Sequence, residues 1–69
     1  MPFVNIRIVR EVISDNPETK KTAIANKVSA AIAEAAGVPE DAVWVVFEEV
    51  AEVDWYVGKK RVKELRAGS

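Results

Sequence analysis

Residues 16–39, NPETKKTAIANKVSAAIAEAAGVP, decide how the rest of the chain is read. Asp15 or Asn16 can cap the free N–H groups of a helix start, and Pro17 suits the first helical position. Glu18 stands near the positive end of the helix dipole. Ile24, Val28, Ile32 and Ala35 fall on one stripe at spacings of four, four and three. Seven of residues 23–36 are alanine, which favours helix and permits close packing. Gly37 stops the helix and Pro39 prevents it from resuming. The pattern predicts one long helix from Pro17 to Ala36.

On either side lie extended segments. Residues 3–9, FVNIRIV, alternate, with Val4, Ile6 and Ile8 on one face and Phe3, Asn5, Arg7 and Val9 on the other. Polar residues occur on only one of these faces, so the other is expected to be buried. Residues 10–16 turn polar. After a turn at Pro39-Glu40-Asp41, residues 42–50, AVWVVFEEV, form a second strand. Val43, Val45 and Phe47 face one way; Trp44, Val46, Glu48 and Val50 face the other. Both faces are apolar up to Phe47, as in a strand within a sheet or at an interface. Trp55, Tyr56 and Val57 before Gly58 suggest a short hairpin. Residues 59–66 hold five basic residues, with Val62 and Leu65 the only apolar ones, and fit a short helix or an arm laid on a neighbouring subunit. Two strands joined through a long helix are most simply parallel, with a right-handed crossover. The reading is α/β: one β-α-β domain over residues 1–69, with parallel strands, one long helix and a small C-terminal hairpin. The helix covers one sheet face, and the other needs a partner.

Composition narrows the function classes. The chain has 69 residues, 49% of them apolar, and neither cysteine nor histidine. It therefore lacks disulfides, thiolate metal sites and the commonest neutral-pH acid/base. A small apolar-rich domain without staples often completes its core by association. Ten basic residues nearly balance eleven acidic ones, for a net charge of -1, which gives no drive toward nucleic acid or membrane. The start, MPFVNIRIVREV, has no signal-peptide pattern, so a cytoplasmic location is expected. Residues 67–69 read as a frayed tail.

Met1-Pro2-Phe3-Val4, the helix end Ser29-Ala30-Ala31-Ile32, Gly37-Val38-Pro39, Val45-Val46-Phe47-Glu48-Glu49 and Trp55-Tyr56-Val57-Gly58 together resemble the 4-oxalocrotonate tautomerase family. The resemblance spans nearly the whole chain and lies in order, pattern and length rather than in one motif. It implies a tautomerase-like oligomer in which subunits pair to join their sheets and dimers assemble into hexamers. It also implies proton transfer on enol and keto acids with no cofactor and no metal.

By that resemblance Pro2 is the catalytic residue. Once Met1 is trimmed, its secondary amine is free. An apolar pocket and nearby cations lower the pKa of such an amine, and a base works best when its pKa lies near ambient pH. If Met1 is retained, the nitrogen is an amide and has no basicity. The same residue could simply start an edge strand, where its missing N–H is harmless.

The family also uses arginines to hold substrate carboxylates, a task suited to a planar, permanently charged fork. In the region after the first strand, longer here by about four residues, the matching position is Val12 and Arg10 is the nearest arginine. Arg10 shares strand parity with Pro2, so the two could point into one pocket; the alternative is a solvated charge. The second family arginine is replaced by Trp44, which cannot pair with a carboxylate and is expected to line a pocket or fill an interface. That substitution disfavours a dicarboxylate substrate. Arg7, on the opposite strand face, is a weaker replacement.

Trp55 matches an aromatic residue that shields the catalytic amine from water. The substrate-binding set is thus Arg10, Trp44 and Trp55, for a small carboxylate substrate. Glu48 and Glu49 point to opposite faces, one expected in an inter-subunit ion pair and the other solvated. A related branch hydrates or dehalogenates acrylic acids with a carboxylate, for which Glu52 or Asp54 would be candidates. Lys59, Lys60 and Arg61 form a small basic cluster that could attract an anion. The alternative to an enzyme is a non-catalytic subunit of the same fold, or of a heterohexamer, with a decayed site.

Overall fold

A computed structural model describes residues 2–67. The order is β1 (Phe3–Val9), a 3-10 turn (Arg10–Val12), α1 (Pro17–Ala36), a second 3-10 turn (Glu40–Ala42), β2 (Trp44–Val50), a third (Glu52–Asp54), β3 (Tyr56–Val57), β4 (Lys60–Arg61) and α2 (Val62–Ala67). Met1 and the last two residues of the expected frayed tail lie outside the described residues; Ala67 closes α2.

The long helix has the bounds read from its punctuation. Pro17 occupies the first turn, and Gly37 ends the helix with φ 71°, the left-handed conformation that glycine takes without strain. Its N–H and that of Val38 both bond the Ala33 carbonyl, at 2.9 and 3.1 Å. The N-terminal cap differs from expectation. Neither Asp15 nor Asn16 caps with its side chain. Asn16 contributes its backbone carbonyl to the Lys20 N–H, 3.1 Å, while the Asp15 carboxylate takes the Lys20 ammonium.

β1 and β2 pair in parallel, in register from Phe3 opposite Trp44 to Val9 opposite Val50. Burial alternates along both strands. Val4, Ile6, Ile8, Val45 and Phe47 are half-buried, as are Ile24, Val28 and Ile32 of α1. Phe3, Trp44 and Val46 are exposed on the other face. Ala35, assigned to the helix stripe, is exposed too. A 20-residue helix runs about 30 Å against about 23 Å for a seven-residue strand, so its last turn outruns the sheet. β2 starts at Trp44 rather than at residue 42. The N–H groups of Ala42 and Val43 are spent locally on Pro39 and Glu40, and the Trp44 N–H is the first to reach across, to the Pro2 carbonyl at 3.0 Å.

The stretch read as polar, residues 10–16, holds Ile13, the one buried residue among those described, at 3% exposure. Turn bonds from Ile13 N–H to the Arg10 carbonyl and from Asn16 N–H to the Ile13 carbonyl, both 3.3 Å, set its position.

The C-terminal hairpin forms as read: Tyr56 pairs with Arg61 and Val57 with Lys60, antiparallel, around Gly58 at φ 64°. α2 follows it. No helix among the described residues is long and apolar enough to cross a membrane.

A single copy is loosely closed. It exposes 5107 Å², against about 4,300 Å² for a compact monomer of 7.6 kDa. Its radius of gyration is 14.7 Å, against about 11 Å expected for a compact domain of its length.

Candidate active site

The candidate residues fall at two ends of one sheet. At the end where β1 and β2 begin, Pro2 is half-buried and held by the Trp44 N–H on its carbonyl. Trp44 and Phe3 are neighbours in register, 56% and 63% exposed, and form an aromatic shelf on the face away from α1. Pro2 therefore precedes the ladder as a residue whose carbonyl is already used by β2.

Arg10 and Trp55 stand at the other end. Arg10 opens the 3-10 turn after β1, and its Nε lies 3.7 Å from Glu49 Oε1. The Trp55 indole N–H donates to the Val50 carbonyl, 3.0 Å, at the end of β2, which pins the ring beside the strand. Its own carbonyl accepts the Val62 N–H, 2.9 Å, and ties α2 to the same corner.

Pro2 and Arg10 are eight residue steps apart, roughly 26 Å of extended chain. Shared parity puts them on one side of the sheet, but within a single chain they line no common pocket. Pro2 meets Trp44 through a backbone bond, and Arg10 and Trp55 stand at the same far end of the strand pair.

Glu48 and Glu49 do point to opposite faces, and each finds its partner inside the chain. Glu48 pairs with Arg7 across the register on the open face, 3.6 Å. Glu49 faces α1 and binds both Lys21 and Arg10. Within one copy both carboxylates thus have a cation at hand, and Glu48 stays half exposed. The parity of Glu49 with Val45 and Phe47 was the signal: a carboxylate on the helix-facing side must find a cation there.

Glu11 was not singled out by sequence. Its carboxylate accepts the Glu52 backbone N–H, 2.8 Å. That bond holds the Glu11 carboxyl below its ordinary value, with help from Arg10 and Arg66. Glu52, a candidate for activating water, is engaged by Arg66. In the basic cluster, Arg61 pairs with Glu64 at 3.6 Å. No group of three metal-ligating side chains occurs among the described residues. A shallow depression lined by Glu18, Thr19, Thr22, Ala23 and Asn26 lies on α1 and holds none of the candidate residues.

A parallel β-α-β unit with a proline at the rim of its first strand is the frame expected from the resemblance, and comparison with known proteins decides the family. The family model described as "Tautomerase enzyme" matches residues 2–65. The chain belongs to the tautomerase family. It is 34% identical over 64 residues to a protein of Bacillus cereus described as "Probable tautomerase", with 93% of this chain and 98% of the relative covered. A Bacillus anthracis protein of the same description matches to the same extent. No solved structure matches the chain. Within this tautomerase the match begins at Pro2 and extends through the hairpin into α2.

Proposed function

We propose that this tautomerase moves a proton on a small enol or 2-keto acid without a cofactor, using the amine of Pro2 after removal of Met1. The observation that carries the reading is the placement of Pro2 immediately before β1, with its carbonyl bound by the Trp44 N–H at the start of the ladder. The neutral amine takes the proton of the enol hydroxyl. The resulting enolate is stabilised by a cation near its carboxylate. The ammonium of Pro2 then returns the proton to carbon and gives the ketone, so atoms and charge balance.

Arg10 binds the substrate carboxylate. Because roughly 26 Å separates it from Pro2 in one chain, the working site draws its Arg10 from another copy. The open aromatic face and the surface in excess of a compact monomer support the same assembly, a homo-oligomer built from dimers toward a hexamer. Trp44 lines the site near Pro2, and Trp55 orders the corner that carries Arg10. With Trp44 where the resemblance implies an arginine, the preferred substrate carries one carboxylate rather than two. The proposed location is the cytoplasm.

Intact mass first establishes that Met1 is absent from protein made in its native cell. Ketonisation of 2-hydroxymuconate and phenylenolpyruvate is then followed for wild type and for protein whose Pro2 nitrogen is blocked as an amide by a retained N-terminal extension. Blocking the proton-transfer amine is expected to lower kcat by at least about 100-fold, whereas Pro2→Ala would leave a primary amine in its place. Retained Met1 in the native protein, or an unchanged rate in the blocked protein, refutes the reading.

One observation favours a second reading, a non-catalytic subunit of the same fold: Trp44 stands where a substrate-binding arginine is implied. Inactivity of Met1-free protein alone, restored by mixing with a second tautomerase chain, would establish it.

A further inference from the structure

We infer that Glu49 is a positioning residue for Arg10, an inference that rests on the tautomerase reading above and assigns that site a part the reading leaves out. Three elements meet at this carboxylate. Glu49 projects from β2 toward α1 and is only 27% exposed. Lys21, in the second turn of α1, takes Glu49 Oε2. Arg10, just past the end of β1, approaches Oε1 with Nε at 3.7 Å.

The arrangement is asymmetric in a useful way. Lys21 and Glu49 are both well covered, while the Arg10 side chain is 54% exposed. The half-buried side of the triad is therefore an anchor and the exposed side is a presented cation. Closest approach is at Nε, the inner edge of the guanidinium. The outer pair of nitrogens is the edge a planar carboxylate engages in two parallel hydrogen bonds. An arginine free on the surface would spend most of its time in other rotamers; one drawn by an ion pair at its Nε side favours rotamers that turn its outer edge away from Glu49.

Charge supports the same assignment. Two cations and one carboxylate leave the triad at a net +1, so Glu49 orients Arg10 without cancelling its attraction for an anion. Glu11, the neighbouring carboxylate, also lies in the field of Arg10, but its Oε1 accepts the Glu52 N–H and Arg66 adds a second cation beside it. The reach of Glu49 to both α1 and β1 also fixes the 3-10 turn that carries Arg10 relative to the sheet.

A group that acts by orienting a carboxylate clamp changes substrate binding and leaves the proton-transfer step alone. Ketonisation kinetics are measured on Met1-free wild type, Glu49→Gln, Arg10→Ala and the double variant, with helix content checked by circular dichroism. Glu49→Gln is expected to raise KM about threefold to fivefold, the range a half-exposed ion pair supports, with kcat unchanged. Arg10→Ala raises KM further, and adding Glu49→Gln to it has no additional effect. Glu49→Asp, which keeps the charge but shortens the reach, gives an intermediate KM and carries the test if Glu49→Gln does not fold. An unchanged KM in Glu49→Gln with an active wild type overturns this inference alone. So does a loss confined to kcat, or one that persists undiminished in the Arg10→Ala background, since either marks a purely structural role. An inactive Met1-free wild type overturns the tautomerase reading, and this assignment with it.

Discussion

Replacing Trp44 with alanine tests whether the open face of the sheet is an assembly surface. The ring is 56% exposed in a single copy, on the face that α1 leaves uncovered. A tryptophan side chain presents about 250 Å², so roughly 140 Å² of it faces solvent. At about 25 cal/mol per Å², covering that area contributes up to roughly 3.5 kcal/mol per copy. Across a twofold contact the loss doubles to roughly 7 kcal/mol, or up to about five decades in dissociation constant. Ordering costs at the interface reduce this, and a change of at least about 100-fold is expected. Sedimentation velocity over a concentration series reads the effect: wild type stays assembled where Trp44→Ala dissociates. Circular dichroism distinguishes dissociation from unfolding, because Trp44 is not packed against α1. Identical sedimentation of the two proteins at every concentration, or a monomeric wild type, would refute the reasoning.

Two further outcomes follow from local geometry. At Gly37, φ is 71° and a Cβ would meet nothing within 4 Å, so Gly37→Ala tests backbone conformation alone. The left-handed penalty of about 1 kcal/mol should lower Tm by roughly 4–8 °C, and an unchanged melting curve would contradict it. Glu11 has its carboxyl held below the ordinary value of 4.5, first by the Glu52 N–H. A depressed folded-state pKa stabilises the fold above pH 4.5 and loses that contribution as pH falls through the lowered value. Glu11→Gln should therefore be less stable than wild type near pH 7 and converge with it in acid; parallel pH–stability profiles would count against the bond.

Much of the fold was legible in the sequence because it is local chemistry. Asn16-Pro17 and Gly37-Val38-Pro39 bound α1 because a proline is tolerated only at a helix start and a glycine takes a left-handed stop without strain. The alternation in residues 3–9 and 44–50 set which strand faces are covered, since successive side chains must point to opposite sides. The hairpin around Gly58 followed from the same kind of signal. Pro2 was singled out for another reason: it directly follows Met1 and stands at the head of an ordered pattern that spans nearly the whole chain.

Tertiary structure decided what depends on distance between elements. Ile13 looked like part of a polar connection, yet it is the buried residue, because folding the turn after β1 carries it inward. Asp15 and Asn16 were suitable caps by type, but Lys20 draws the Asp15 carboxylate away. Glu49 became an anchor for two cations only once α1 and the end of β1 converged on β2. Strand parity told which side Pro2 and Arg10 share; the length of β1 told that they stand at its two ends. A residue's face follows from its neighbours along the chain, whereas its partners follow from packing. That is why the sequence could place Pro2 and Arg10 on one side of the sheet, while their separation at its two ends came only from the fold.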